Sequence, residues 1–488
     1  DVVQREASTT TAAGSFDWVL WTKVNYQRDK AALTTQKKDD IASDQELKNT
    51  VYQSLMLPTS DVQVWDSARE ETRSASLGVT KRFRAGFTLT PYLATQSYKH
   101  TFDQIEPVSR AKAAVAIEIP LLRGAGPANF TAEERASQEA WQAARLSFRQ
   151  EAASRAYSTI SAWISCITAQ EGLRISREGF TRVEDFMGVL DQLVTAGEIA
   201  PIQRLEAQAK LDLRRADVDK GESETFQARQ RLAVATGAPV GRLTTAPEAE
   251  GELPPVLDAV VLEAVTPASW SDQVLAARGD YVATENQVRA RQILTRKADH
   301  DQLPKLDFTF ELGWTGLDER PTSDRYYRSL THDVRGPNVE SSLKLELPLR
   351  NDAARGEFLR QRSLERQAQL AREELATSIV AEVLSAHSEL VAARKEYALA
   401  TKAQASYAKL VADAEARLRL GEGDANRLID MEDKRIEAQT RASESHGRYA
   451  LAMARLRLAT GTLLQERQDL LLFLPDCLQS LPFTAEAQ

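Results

Sequence analysis

The chain has 488 residues, 42% of them hydrophobic and 27% charged, with a formal net charge of −8. This length allows two or more domains and a sizeable core, and no half of the chain is basic enough for a general nucleic-acid binder. No run approaches 18 apolar residues, so no transmembrane helix is expected; barrel strands, whose signal is far weaker, stay open.

The opening "DVVQREASTT" is similar to the mid-helix stretch "DYVATENQVR" that starts at Asp280. It carries the expectation that further residues, including a targeting segment, precede this numbering. Next, "FDWVLWTKVNYQ" alternates, with Phe16, Trp18, Leu20, Val24 and Tyr26 on one face and Asp17, Lys23, Asn25 and Gln27 on the other. Further alternating runs lie near residues 77–84 and 87–93, joined by "RAG", and at 113–119. A period of two makes these strands. In "IEIPLLRGAG", Pro120 stands where ladder bonding must stop, since proline has no N–H to donate. Thr131 and Glu134 form a capping-box pattern, and helical sequence continues to about Ala196. Gly197 suits a helix end and Pro201 the first turn of a returning helix. Pro239, Pro247, Pro254 and Pro255 then mark a loop-rich connector.

A second series follows. "KLDFTFELGW" puts Leu306, Phe308, Phe310, Leu312 and Trp314 on one face; its expected partner, "LKLEL", alternates Leu343, Leu345 and Leu347 with Lys344 and Glu346. After "LELPLRNDAARG", a helix is expected from Asn351 or Asp352 to about Leu420. Leu364, Ala368, Ala371, Leu375, Ile379, Val383, Ala386 and Leu390 form its packing stripe. At 1.5 Å per residue, such helices reach on the order of 100 Å, longer than a compact domain needs. Gly421 ends this helix and Asp424 can cap the next.

The two series are copies of one plan. Aligning Gly237 with Gly461, in "LAVATG" and "LRLATG", gives an offset of 224, which also places Gly197-Glu198 on Gly421-Glu422. "IEIPL" and "LELPL" match at an offset of 228. Each copy reads as strands, long helix, tight tip, returning helix and proline-rich segment.

Reactive chemistry is sparse. Cys166 and Cys477 each read as a buried small apolar residue, with a mutual disulfide as the alternative. His100, His300, His332, His387 and His446 are scattered, so neither a metal nor another cofactor is expected. No nucleophile–base pattern occurs, and "GAG" at 124–126 lacks the spacing of a phosphate loop. The chain is therefore read as a non-enzyme.

The alternating strands suit either a soluble sheet with one buried side or a barrel wall. Aromatic clustering in the strands, strand lengths of about ten residues, and the long polar connections 29–74, 99–110 and 318–340 favour the wall. A lipid-exposed sheet edge would leave amides unpaired at several kcal/mol each. Four to six strands per chain therefore require several chains to close a barrel.

Taken together, "IPLLRGAG", "LPLRNDAARG", the paired Gly-Glu tips and the paired "ATG" endings resemble the outer-membrane efflux protein family, the TolC-like channels, from about Phe16 to Leu464. The resemblance implies a mixed, mainly α fold and a homotrimer: a β-barrel in the outer membrane continuous with an α-helical barrel across the periplasm. It implies work with a periplasmic adaptor and an inner-membrane pump, contact with outer-membrane lipid, and no nucleic acid. On this plan residues 16–120 and 305–349 supply membrane strands and 121–237 and 350–461 the helical hairpins. Residues 238–304 supply an equatorial connector and ascending helix, and 462–488 an equatorial tail. The implied entrance residues are Asp430, Arg427, Asp424, Arg417 and Glu206; Arg427 replaces an acidic residue of the best-known members. Gly197, Glu198, Pro201, Gly421 and Glu422 are the implied adaptor-contacting tips, and Phe16, Trp18, Tyr26, Phe308, Phe310 and Trp314 the expected aromatic belt. If the additional hairpin at 77–93 crosses the bilayer, a trimer has 18 strands; if not, 12. The alternative function is a structural or adhesive coiled-coil protein with a β-domain, distinguished by imaging a hollow tube or a solid rod.

Overall fold

A computed structural model describes residues 1–59, 67–100, 108–197, 200–263, 267–320, 324–419, 425–467 and 470–483. The fold is mixed α+β and mainly helical, in two compact units. One holds residues 3–141 and 289–366, the other 142–288 and 367–488.

The first unit is built on a six-stranded antiparallel meander in the order β1-β2-β3-β4-β5-β6. The strands are β1 (Trp18–Ala32), β2 (Ser67–Phe83), β3 (Phe87–His100), β4 (Val108–Pro120), β5 (Lys305–Asp318) and β6 (Arg335–Glu346). At 12 to 17 residues they are longer than the alternating core of each run suggested, because pairing continues into segments too polar to be recognised. Helix α1 (Val2–Gly14) precedes them, and α2 (Thr35–Ser54) occupies much of the expected 29–74 connection.

Register gives the sheet two unlike faces. Trp18↔Lys81, Leu20↔Val79, Leu77↔Leu93, Leu93↔Ala113, Ala113↔Trp314, Ile117↔Phe310 and Phe308↔Leu343 place the large apolar side chains together on one side. The opposite side is polar and hydrogen-bonded. Trp21 Nε1 donates to Thr80 Oγ1 (3.1 Å), and the Tyr92 hydroxyl donates to Glu311 (2.9 Å), which also pairs with Lys112. Gly78 is required here: a Cβ would lie 2.5 Å from the Trp21 ring that covers it.

After β4, α3 (Pro127–Phe130) leads into α4 (Ala132–Thr195). The expected capping box does not form. The Thr131 hydroxyl donates to the Pro127 carbonyl (2.7 Å), while Glu134 takes a two-pronged bond from Arg84 in the β2–β3 turn (2.9 and 2.6 Å). A charged fork bound to a mostly buried carboxylate outcompetes a local backbone bond. Arg84 holds the Glu134 carboxyl below the usual range against the opposing effect of burial.

The second unit contains most of α4, α5 (Pro201–Ala235), the short helices α6 (Ala259–Glu263) and α7 (Ser271–Ala277), and the first part of α8 (Gly279–His300). The four-residue α9 (Arg325–Arg328) lies in the β5–β6 connection of the first unit. Most of α10 (Asp352–Arg419) and all of α11 (Ala425–Ala459) complete the helices of the second unit; β7 (Gln465–Arg467) and β8 (Leu470–Leu472) pair in its C-terminal segment. Of the stripe expected on α10, Ile379, Val383, Ala386 and Leu390 are buried, whereas Ala371 is exposed. They pack with Ile160 and Ile164 of α4, Trp270 and Val274 near α7, and Tyr449, Met453 and Leu456 of α11. The Tyr449 hydroxyl accepts from the Leu257 amide (3.0 Å), which fixes the connector to this core. Leu478 and Leu481 of the C-terminal segment join it.

Although no run of 18 residues is wholly apolar, one stretch of α10 is, by length and composition alone, long and apolar enough to cross a bilayer. Cys166 and Cys477 are buried free thiols, not a disulfide.

Candidate functional site at the helix tips

Near the α4–α5 turn the helical unit forms a second, smaller core. Met187 and Leu190 of α4, Ala207 of α5 and Ile429 of α11 are buried together, with Phe186 and Leu211 against them. The α4–α5 turn is built by Gly197, whose φ of +75° suits a residue without Cβ, and by Pro201 at the start of α5. Glu198, Gly421, Glu422 and Asp424 lie outside the described residues.

Charged side chains join α5 to α11 around this core. Lys210 Nζ lies 2.5 Å from Asp430 and 3.2 Å from Asp433, and Arg214 donates to Asp433 at 2.5 Å. Burial lowers the Lys210 ammonium, but the two carboxylates more than reverse this, leaving its pKa raised. On the other side Glu432, only 8% exposed, sits between Arg435 (2.9 Å) and Arg182 (3.4 Å). Burial pushes its carboxyl up, and the two arginines counter that.

The residues expected at an entrance are thus divided. Asp430 is in the α5–α11 bridge, exposed but paired. Arg417 pairs within α10 with Asp413 (3.0 Å), and Arg427 and Glu206 are exposed at the starts of α11 and α5. Sequence reasoning missed Lys210 and Arg214. Their i, i+4 spacing, opposite the i, i+3 pair Asp430 and Asp433, was the available signal.

The expected aromatic belt needs one correction. Trp18 and Tyr26 are exposed on the apolar face of β1, and Phe308, Phe310 and Trp314 share that face on β5. Phe16 does not belong with them. It precedes β1, is 4% exposed, lies 6.0 Å from the Phe130 ring, and is covered by the Arg84 guanidinium at 4.8 Å. A two-residue extrapolation of the strand period overran its start.

The arrangement has the fold of the TolC-like outer-membrane efflux channels. Among solved structures, the outer-membrane channel OprN is matched over 94% of this chain and 85% of its own, with TM-score 0.63 and 15% identity. The Campylobacter jejuni CmeC outer membrane channel matches over 94% and 81%, with TM-score 0.59 and 12% identity. VceC, an outer membrane protein of Vibrio cholerae, matches over 94% and 90%, with TM-score 0.60 and 11% identity. No family model and no curated protein sequence matches the chain.

Proposed function

We propose that the chain is the outer-membrane exit duct of a tripartite efflux or secretion system. Three copies form a passive channel whose β-strands line the membrane and whose helical hairpins extend into the periplasm, where adaptor and pump engage the tips. The observation that carries this reading is the fold match over 94% of the chain to outer-membrane channels. The sheet agrees with it: strands of 12 to 17 residues, at about 3.4 Å per residue and tilted about 40°, are long enough to cross a bilayer. On this plan residues 16–120 and 305–349 are the membrane part, 121–237 and 350–461 the hairpins, and 238–304 and 462–488 the equatorial belt.

The tip is the gate. Opening separates α5 from α11 and breaks the Lys210–Asp430 and Arg214–Asp433 pairs. Partly exposed pairs contribute about 0.2–1 kcal/mol each, so the two pairs bias the tip by roughly a factor of ten, in addition to the apolar cluster that Ala207 and Ile429 share. An adaptor docking at Gly197, Glu198, Pro201, Gly421 and Glu422 supplies the free energy that opening needs. Asp430, Asp424 and Glu206, with Arg417 and Arg427, set the charge of the entrance. In planar bilayers, Asp430→Ala is expected to raise single-channel conductance or weaken block by divalent cations; no change in either removes Asp430 from the gate.

A further inference from the structure

The two edge strands of the sheet carry an inference about how the wall closes. β1 exposes all of its 15 residues except Trp21, and β6 exposes all 12. β4, by contrast, lies between two partners and is largely covered. Natural edge strands are blunted by shortness, proline, bulges or charged side chains. β1 is long, runs without proline and pairs with β2 without a register shift, and its charges are Lys23 and the cluster Arg28, Asp29 and Lys30 at one end, which leaves residues 18–27 with a single charge. From Asn338 to Glu346, β6 is equally regular.

The β2–β3 hairpin belongs to this wall. Its strands pair along their lengths with β1 on one side and with β4 from Thr88 to Tyr98 on the other. Its side chains follow the same division, with Leu77, Leu89 and Leu93 on the apolar side and Thr80, Thr90 and Tyr92 on the polar one. Its turn is tied to the start of α4 by the Arg84–Glu134 fork. Without this hairpin β1 would neighbour β4; with it they stand two strands apart.

We propose that β1 of one copy pairs with β6 of the next, closing three copies into an 18-stranded barrel. Six strands per chain is an even number, so every seam between copies is antiparallel like the pairings within one. With strands about 4.7 Å apart and tilted about 40°, 18 strands enclose a wall about 35 Å across, against about 24 Å for 12. An α-helix with its side chains is about 10–12 Å wide, so a polypeptide passes such a barrel with room to spare. The membrane segment then does not select cargo by size, and selection falls to the tips. The inference rests on the duct reading of the fold.

The test is cysteine cross-linking in outer-membrane vesicles, scanning a cysteine along residues 20–28 of β1 against one along 339–345 of β6, with a β1–β4 series as the comparison. A disulfide-linked ladder that ends at three chains for β1–β6, with no intrachain β1–β4 link, is expected. An intrachain β1–β4 link within a trimer places the hairpin outside the wall and overturns the proposal while leaving the duct intact. A ladder that ends at two chains also overturns it, since two copies close only 12 strands. Monomers that conduct nothing in planar bilayers refute the duct reading itself. If the cysteine variants do not assemble, amide exchange of the unmodified protein in proteoliposomes decides. Slow exchange through β1, β2, β3 and β6 is expected, and fast exchange through β2 and β3 overturns the proposal.

Discussion

Helices α5 and α11 are each 35 residues long and begin 224 positions apart, yet they live in different surroundings. Helix α11 buries Leu428, Ile429, Ile436, Tyr449, Met453 and Leu456, and none of its large apolar side chains is fully exposed. Helix α5 buries only Ala207, Gly221, Thr225, Ala228 and Ala233 and leaves Ile202, Leu205, Leu213, Phe226 and Val234 exposed. The contrast is sharpest at aligned positions: Ile429 is 3% exposed and Leu205 is 65% exposed. The lesson is that two helices of equal length, 224 positions apart, can serve two purposes. Helix α11 completes the core of its own chain; helix α5 presents an apolar surface that the single chain does not cover, which is the surface the proposed ring of three copies would use.

The contrast can be broken most directly in the core of α11. Tyr449→Ala removes a fully buried ring and its bond to Leu257, and is expected to cost about 3–5 kcal/mol. Thermal unfolding in detergent, followed by circular dichroism, reads that loss. Ile429→Ala is expected to cost about 2–4 kcal/mol, confined to the tip core. At the aligned position Leu205→Asp should leave the helicity and melting of the isolated chain unchanged while reducing its assembly, measured by light scattering. If Leu205→Asp melts the chain as Ile429→Ala does, the division between the helices is wrong. Smaller again is Lys210→Glu, which places like charges beside Asp430 and Asp433. Open probability in planar bilayers should rise several-fold, and restoring the pair with Asp430→Lys should bring it back.

The smallest expected effect lies at the Arg84–Glu134 fork, where Glu134→Gln should lower the melting temperature by a few degrees at pH 7. The Glu134 pKa is lowered in the fold from an ordinary 4.5. Its stabilisation is therefore fully present above about pH 4.5 and disappears as pH falls through the lowered value. The melting difference between wild type and variant should shrink over that acid range. A difference that does not shrink anywhere between pH 4.5 and acid unfolding means the fork is not what the substitution removes.

The fold was legible where periodicity was strong. The alternation of 306–314 and the 3–4 spacing from Ile379 to Leu390 became a strand and a buried helix stripe. It was less legible where polar residues do structural work. The ends of β1 and β2 that meet at Asp29 opposite Glu70 and Lys30 opposite Arg69 carry no apolar alternation and fall within the polar connection expected at 29–74. The Thr131 and Glu134 capping signal failed because its glutamate was claimed by an arginine 50 residues earlier, which no local pattern reports. The tip charges were legible as residue types but not as pairs. Asp430 stood out by its position, whereas Lys210 and Arg214 became visible only once α5 lay beside α11.

The small cluster of Met187, Leu190, Ala207 and Ile429 is distinct from the larger core around Tyr449 and Met453. Two separate apolar clusters along the same long helices make two cooperative units. The end of the hairpins can fray and reclose as a local fluctuation, at a fraction of the free energy of global unfolding, while the rest of the helical body stays folded. Amide exchange should therefore be faster around residues 186–211 and 429 than around 379–390 and 449–456, with an intermediate plateau in denaturant that marks the tip as the first part of the chain to let go.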